Sequence, residues 1–285
     1  MRNTIYEALN GTSSFLIEKG RDENAARLLL QHILQTNYSG LMMRMQDVLT
    51  DEQKEQFDAF VAAHADGRPV QYITGQEEFY GRIFAVDESV LIPRPETEEL
   101  IVSTIQHMTQ LFGRDAHIKL ADIGTGSGAI AVTMKKEWPN ADVTATDISA
   151  VALATAQRNA TANEADIHFA LGDLTEPIAH MKWDVILSNP PYIAFDEKVE
   201  MSDVVLEHEP HSALFAEEDG LILYRKLAEN LPHLMNMPGF IAVEIGYKQG
   251  EAVQAMFERA FPTAEVEVVK DINGKDRIVT CKINE

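Results

Sequence analysis

Over residues 3–74 the apolar positions recur at helical spacing. Ile5, Leu9, Leu16 and Ile17 mark one helix, and Ala25, Ala26, Leu28, Leu29, Ile33 and Leu34 mark a second that Asp22 is placed to cap. A third helix is signalled at both ends. Thr50 and Gln53 form a capping-box pair, Phe57, Phe60 and Val61 make the apolar stripe, and Gly67 followed by Pro69 closes it. These stripes predict a small all-helical domain over residues 1–75 whose apolar faces pack on one another. Any apolar surface left outside that packing would serve to bind a partner.

The pattern then changes period. Phe79, Tyr80, Ile83, Phe84, Val86, Val90 and Leu91, around Gly81 and Asp87, predict a β-hairpin linker across residues 76–92. Helical spacing returns after Pro93-Arg94-Pro95-Glu96-Thr97-Glu98, in Leu100, Ile101, Ile105, Met108 and Leu111, with prolines suited to a first turn. From there strands and helices alternate. Apolar runs at 118–123, 143–146, 167–170, 185–187 and 240–245 predict strands, with helices over 127–137, 149–163, 220–235 and 249–260 and Ser149 as a cap. Such alternation predicts an α/β fold for residues 93–285, a doubly wound, mostly parallel Rossmann-like sheet. Its last two strands, at 265–269 and 277–282, are joined through Asn273-Gly274, a strong hairpin signal, which brings the sheet to seven strands with an antiparallel C-terminal strand.

Composition narrows the class. A chain of 285 residues suits one large and one small domain. With 24 Lys and Arg against 45 Asp and Glu, the net charge of -21 would repel a phosphate backbone, and no basic cluster offsets it. Direct nucleic-acid binding is therefore not expected. Cys281 is the single cysteine, which excludes an internal disulfide and a cysteine-based metal site. Glu7, Asn10, Glu18 and Lys19 interrupt the N-terminal apolar residues, and no run of about 20 apolar residues occurs, so a cytoplasmic protein without membrane contact is expected.

Candidate chemistry sits at predicted strand ends. Asp122-Ile123-Gly124-Thr125-Gly126-Ser127-Gly128-Ala129 follows a strand and opens a helix, so its glycines let the backbone approach a bulky ligand at a helix N-terminus. Gly124, Gly126 and Ala129 also satisfy the dinucleotide fingerprint, so the loop alone suits NAD as well as S-adenosylmethionine. Asp147, ending the next strand, is placed either to accept from both hydroxyls of a ribose or to cap a helix beside Ser149. Asp173, in Leu171-Gly172-Asp173-Leu174, could accept from an adenine amine or belong to a simple turn.

Ser188-Asn189-Pro190-Pro191-Tyr192 closes the fourth strand as a stiff, directed loop, because each proline lacks a donor and biases its predecessor toward extended geometry. Hydride transfer has no use for an amide oxygen there, whereas methylation of a planar nitrogen does. Asn189 Oδ1 and the Pro190 carbonyl can accept the two N–H bonds of such a group, Pro191 keeps them fixed, and Tyr192 can stack on its plane. His208 and Glu209 have no third partner and His211 with Glu207 is broken by Pro210, so no metal site is expected and Glu209 reads as part of a solvated loop.

Asn189-Pro190-Pro191-Tyr192 with the Gly124 to Gly128 loop resembles the class I methyltransferases that act on exocyclic or amide nitrogens. The wider match takes in Leu91 to Glu98, Glu209-Pro210 before Ala213-Leu214, and Asn273-Gly274-Lys275-Asp276-Arg277. Over nearly the whole chain it resembles the peptide chain release factor glutamine N5-methyltransferase family. That resemblance implies methyl transfer from S-adenosylmethionine, yielding S-adenosylhomocysteine, to the glutamine amide of a Gly-Gly-Gln loop in bacterial release factors. It further implies that the helical N-terminal domain contacts the factor, and a monomer is expected. By position, Asn189, Pro190 and Tyr192 would be catalytic and, with Pro191, would hold the amide. Asp122, Gly124, Thr125, Gly126, Gly128, Asp147, Asp173 and Asn189 would hold the cofactor, with Thr97 and Arg94 lining its pocket. The four-residue motif is shared with DNA adenine methyltransferases, so a DNA or RNA amino-group (adenine N6) methyltransferase stays open as the alternative. An NAD-dependent oxidoreductase or a non-catalytic binding protein stands further off.

Overall fold

The computed structural model describes residues 4–284; residues 1–3 and 285, at the outer ends of the two predicted domains, lie outside the described residues. The chain divides into two compact units, one of residues up to 76 with 202–208, the other of residues 77–201 with 209–285.

The first unit is helical. It holds α1 (Ile5–Glu18), α2 (Asn24–Ile33), α3 (Tyr38–Met43), α4 (Asp51–Ala65) and α5 (Val70–Thr74) around a core that includes Ile5, Leu16, Leu29, Leu30 and Phe57. Thr50 caps α4 as its pattern predicts: Thr50 Oγ1 accepts the Gln53 N–H at 3.2 Å, and Gln53 Oε1 accepts the Thr50 N–H at 3.0 Å. Asp22 Oδ1 accepts the N–H of Asn24 at 2.9 Å, so it serves the first residue of α2 rather than its third. Ile17 and Leu28 are exposed, against the expectation that they join the core. Each follows or precedes a residue that points inward, Leu16 or Leu29, and one step along a helix turns a side chain by about 100°. The helices α3 and α5 are too short for an apolar stripe to reveal.

In the second unit, β1 (Gln76–Phe79) and β2 (Arg82–Ala85) form the expected hairpin. Tyr80 and Gly81, with φ of 51° and 69°, make the two-residue turn whose twist suits paired strands. The hairpin ends earlier than 92, because Asp87 takes the N–H of Ser89 at 3.0 Å and turns the chain away. Pro95 then occupies the first turn of α6 (Pro95–Phe112).

The sheet follows as β3 (Ile118–Ile123), α7 (Ala129–Glu137), β4 (Ala141–Asp147), α8 (Ala150–Ala162), β5 (His168–Leu171) and β6 (Trp183–Ser188). After the short α9 (Asp203–His208) of the first unit come α10 (Ile222–Asn230), β7 (Met235–Glu244), α11 (Gly250–Ala260), β8 (Glu265–Lys270) and β9 (Asp276–Ile283). The seven strands lie in the order β5-β4-β3-β6-β7-β9-β8, with β9 antiparallel to both neighbours and every other pair parallel. Successive residues of the inner strands face opposite cores. Leu120, Val185 and Phe240 pack with α6 and α7, while Ala121, Ile186 and Ile241 pack with α10 and α11. Burial on both faces explains why these strands read as continuous apolar runs.

From β3 the chain winds outward to β5 and then returns to β6, on the other side of β3. Ligand crevices open where such a sheet reverses direction. The register brings Ile123 beside both Thr146 and Ser188, so the loops leaving β3, β4 and β6 emerge at one level.

Candidate active site

A cavity of about 520 Å³ opens at these strand ends, within the range of roughly 300–1,000 Å³ of small-molecule sites. Gly124, Thr125, Gly126, Asp147, Asn189, Pro190, Pro191, Thr97 and Arg94 all line it. Sequence positions from 94 to 191 are thus gathered around one cavity.

The glycine loop leaves room for a ligand by its own geometry. Gly124 and Gly126 have φ of 72° and 55°, a region that suits glycine, and a Cβ added to either would meet nothing within 4 Å. The backbone is therefore bare where it borders the cavity. Gly128 serves differently, since a Cβ there would lie 3.1 Å from the Cβ of Ala156, and its bareness lets α7 pack closely on α8. That residue does not reach the cavity wall. Its left-handed backbone also delays the start of α7 to Ala129.

Asp122 lies beneath the loop and not on the cavity. Fully buried, it accepts the Thr125 hydroxyl at 2.6 Å and the Ala131 N–H at 3.1 Å. Burial pushes its carboxyl up to about 7, although both hydrogen bonds pull the other way. It shapes the loop from behind. Asp147 combines its two expected parts: Oδ2 accepts the Gly126 N–H and Oδ1 the Ser149 N–H, both at 2.9 Å, while the residue also borders the cavity. Each carboxylate oxygen keeps a further lone pair for a ribose hydroxyl. Asp173 is off the wall, which its neighbours Gly172 and Leu174 occupy instead.

On the opposite side, Ser188 ties β6 to β3 by donating to the Ile123 carbonyl at 2.7 Å. Asn189 Nδ2 donates to Thr97 Oγ1 at 3.3 Å, and Thr97 Oγ1 donates to Glu244 Oε2 at 2.6 Å. Glu244 is 2 % exposed, and burial pushes its carboxyl up to about 7 against the pull of Thr97 and Arg277. Tyr224 Oη donates to the Glu244 carbonyl at 2.7 Å. Sequence reading missed Glu244. Its one signal was a carboxylate closing the apolar run Ile241-Ala242-Val243, much as Asp147 closes its own strand.

Two further expectations are corrected. Glu209 is no part of a solvated loop: its side chain is 1 % exposed, pairs with the Arg94 guanidinium and accepts the Ile92 N–H at 3.4 Å. A buried carboxylate needs such a partner, and the ion pair holds the segment from Pro210 to Ala216 along the cavity. Tyr192 does not line the cavity of Asn189. It borders a second cavity of about 420 Å³ together with Tyr247 and Gln249, whose Nε2 holds the Tyr192 carbonyl at 2.9 Å. Burial, followed by the charge of Glu244, pushes the Tyr192 phenol upward. Among the described residues no group of three or more His, Cys, Asp or Glu could hold a metal, and no helix is long and apolar enough to cross a membrane.

The reversed seventh-strand hairpin, the bare glycine loop, the acid ending β4 and the Asn-Pro-Pro turn ending β6 together define a methyltransferase. The methyltransferase small domain family matches residues 98–212, and the PrmC N-terminal domain matches residues 7–75. A methyltransferase from Pyrococcus furiosus shares the fold with a TM-score of 0.54 at 17 % identity, over 83 % of this chain and 100 % of that one. Relatives of far higher identity are the release factor glutamine methyltransferases of Bacillus anthracis, 48 % identical over 98 % of this chain and 99 % of that protein, and of Bacillus subtilis, 45 % identical over 99 % of each. The chain belongs to the release factor glutamine methyltransferase family.

Proposed function

We propose that this enzyme methylates the side-chain amide nitrogen of a glutamine in bacterial release factors, with S-adenosylmethionine as donor. When bound, the donor supplies a methyl group already activated by its sulfonium. Gly124, Thr125, Gly126 and Asp147 would hold it, with Arg94 and Thr97 at the rim; Asp122 and Gly128 act from behind the loop.

An amide nitrogen is a poor nucleophile, because its lone pair is delocalised into the adjacent carbonyl. Asn189 Oδ1 and the Pro190 carbonyl accept its two N–H bonds, which raises charge on the nitrogen and turns its lone pair toward the methyl. Pro190 and Pro191 hold both acceptors still, so alignment is in place before the substrate arrives. No strong base is required, and the proton that leaves nitrogen after transfer passes to solvent. Tyr192 contributes from the adjoining cavity by anchoring the turn rather than by stacking over the amide.

The observation that carries this reading is Thr97 taking the Asn189 amino group, which leaves the Asn189 oxygen edge to accept from the substrate amide. The helical unit would contact the factor, and the enzyme would act as a monomer without direct nucleic-acid binding. Purified enzyme incubated with a release factor and isotopically labelled donor should place one methyl on a glutamine, located by peptide mass spectrometry. Labelling of DNA or RNA adenine with an unmodified factor would reverse the substrate assignment.

A further inference from the structure

We infer that Glu244, acting through Thr97, sets which edge of the Asn189 amide faces the substrate, and so serves the reaction as a positioning residue. The inference deepens the proposed function and rests on it for the role of Asn189. The three side chains come from three elements: Glu244 from the end of β7, Thr97 from the first turn of α6, and Asn189 from the turn after β6.

A threonine hydroxyl has one proton to give. The separation of 2.6 Å between Thr97 Oγ1 and Glu244 Oε2 lies in the range of a charge-assisted hydrogen bond, and above about pH 7, where Glu244 is ionised, its carboxylate can only accept. The Thr97 proton is therefore committed to Glu244. Toward Asn189, Thr97 is left with lone pairs alone, so the group it meets at 3.3 Å must be the donor Nδ2. The planar amide then carries Oδ1 on its other edge, and Asn189 is a residue that lines the cavity.

The reverse flip would disable the site. With Oδ1 turned to Thr97, the edge toward the substrate would carry two N–H donors facing the donors of the incoming amide. Donor against donor makes no hydrogen bond. Thr97 alone could satisfy either flip, because a free hydroxyl can donate or accept; Glu244 removes that freedom. Glu244 itself stays off the cavity wall, so it acts on the substrate only through the other two side chains. A buried carboxylate is costly, and an apolar residue at this strand end could fill the space but not commit the Thr97 proton.

Neutron diffraction from crystals grown in heavy water reads the relay without any substrate. The expected map has a deuteron between Thr97 Oγ1 and Glu244 and an ND2 group on the Thr97 side of Asn189; a Thr97 deuteron pointing at Asn189 Oδ1 overturns the proposal. Kinetics with release factor supply the second arm. Thr97→Ser keeps the hydroxyl and should hold kcat within about threefold, whereas Thr97→Val and Glu244→Met should each lower kcat about tenfold or more, the scale of losing an aligned polar group. The dissociation constant for S-adenosylhomocysteine should move less than about threefold in Glu244→Met, whose side chain is off the cavity wall, if the effect is one of acceptor alignment. Retained kcat in Glu244→Met, or cofactor affinity lost in step with kcat, would show a merely structural role. Failure of the wild-type enzyme to modify any release factor would sink the functional proposal alone, since the neutron map decides the relay independently.

Discussion

At the end of β3, Asp122 accepts the hydroxyl of Thr125, three residues on; at the end of β7, Glu244 accepts the hydroxyl of Thr97, 147 residues back. Both separations are 2.6 Å, both carboxyls are buried, and burial pushes both up to about 7. Their partners differ in reach. Asp122 is bound within its own strand, loop and helix, so it stiffens the donor half of the site from below. Glu244 links α6, β6 and β7, so it governs the acceptor half. One device, a buried carboxylate consuming a threonine proton, thus serves a local turn in one place and a tertiary junction in the other.

The sharpest way to break this division is Asn189→Ala. Removal of an aligned acceptor should lower turnover on the order of a hundredfold to a thousandfold. Titration calorimetry should find the affinity for S-adenosylhomocysteine little changed. Equal loss of both would place Asn189 in the donor half and dissolve the distinction.

Asp147→Ala probes the other half. Without its carboxylate the Gly126 and Ser149 N–H groups lose their partner and a ribose loses its acceptor, so cofactor affinity should fall on the order of tenfold to a hundredfold. Turnover at saturating cofactor should suffer less than affinity does. A larger effect on turnover than on affinity would contradict the assignment.

The carboxyl pair predicts a pH dependence. Each carboxyl is raised above its ordinary value of 3.8 or 4.5 to about 7, so between those values the folded chain holds protons that the unfolded chain has released. Their contribution to stability is complete below the ordinary values and is lost as pH rises through about 7. It amounts to roughly 3–4 kcal/mol for each group. Urea midpoints should fall between mildly acidic and mildly alkaline buffer, and Asp122→Asn or Glu244→Gln should each flatten part of that slope. A slope unchanged in both variants would show that other groups carry it. Glu96, Arg277, Thr97 and Asn189 surround Glu244, and Thr125, Ala131 and Asp147 surround Asp122, so the two variants should not respond identically.

The smallest effect tests a purely local pair. Thr50→Ala removes the α4 cap and should cost about 1 kcal/mol of helical-unit stability by thermal or urea unfolding. A cost several times larger would mean that even this three-residue contact carries tertiary load.

Much of the fold was legible because its signals are short in range. The Thr50 box, the Asn273-Gly274 hairpin, Pro95 in a first turn, the apolar runs and the glycine loop each depend on residues within one element or turn. Errors appeared where neighbours in space overrode neighbours in sequence. Glu209 looked exposed until Arg94 met it, and Tyr192 looked like part of the Asn189 wall until Gln249 held its carbonyl in the adjoining cavity. Glu244 carried almost no signal, since its meaning lies in a threonine far upstream.

The sequence by itself determined the alternation of strands and helices, the reversed last strand and the kind of chemistry at two strand ends. Periodicity, caps and turns are properties of adjacent residues and can be read one window at a time. Tertiary structure alone decided that Asp122 lies behind the loop, that Arg94 pairs with Glu209, and that Glu244 meets Thr97 and Thr97 meets Asn189. Those facts rest on burial and on which donor finds which acceptor, and neither exists until the sheet has brought residues 97, 189 and 244 together.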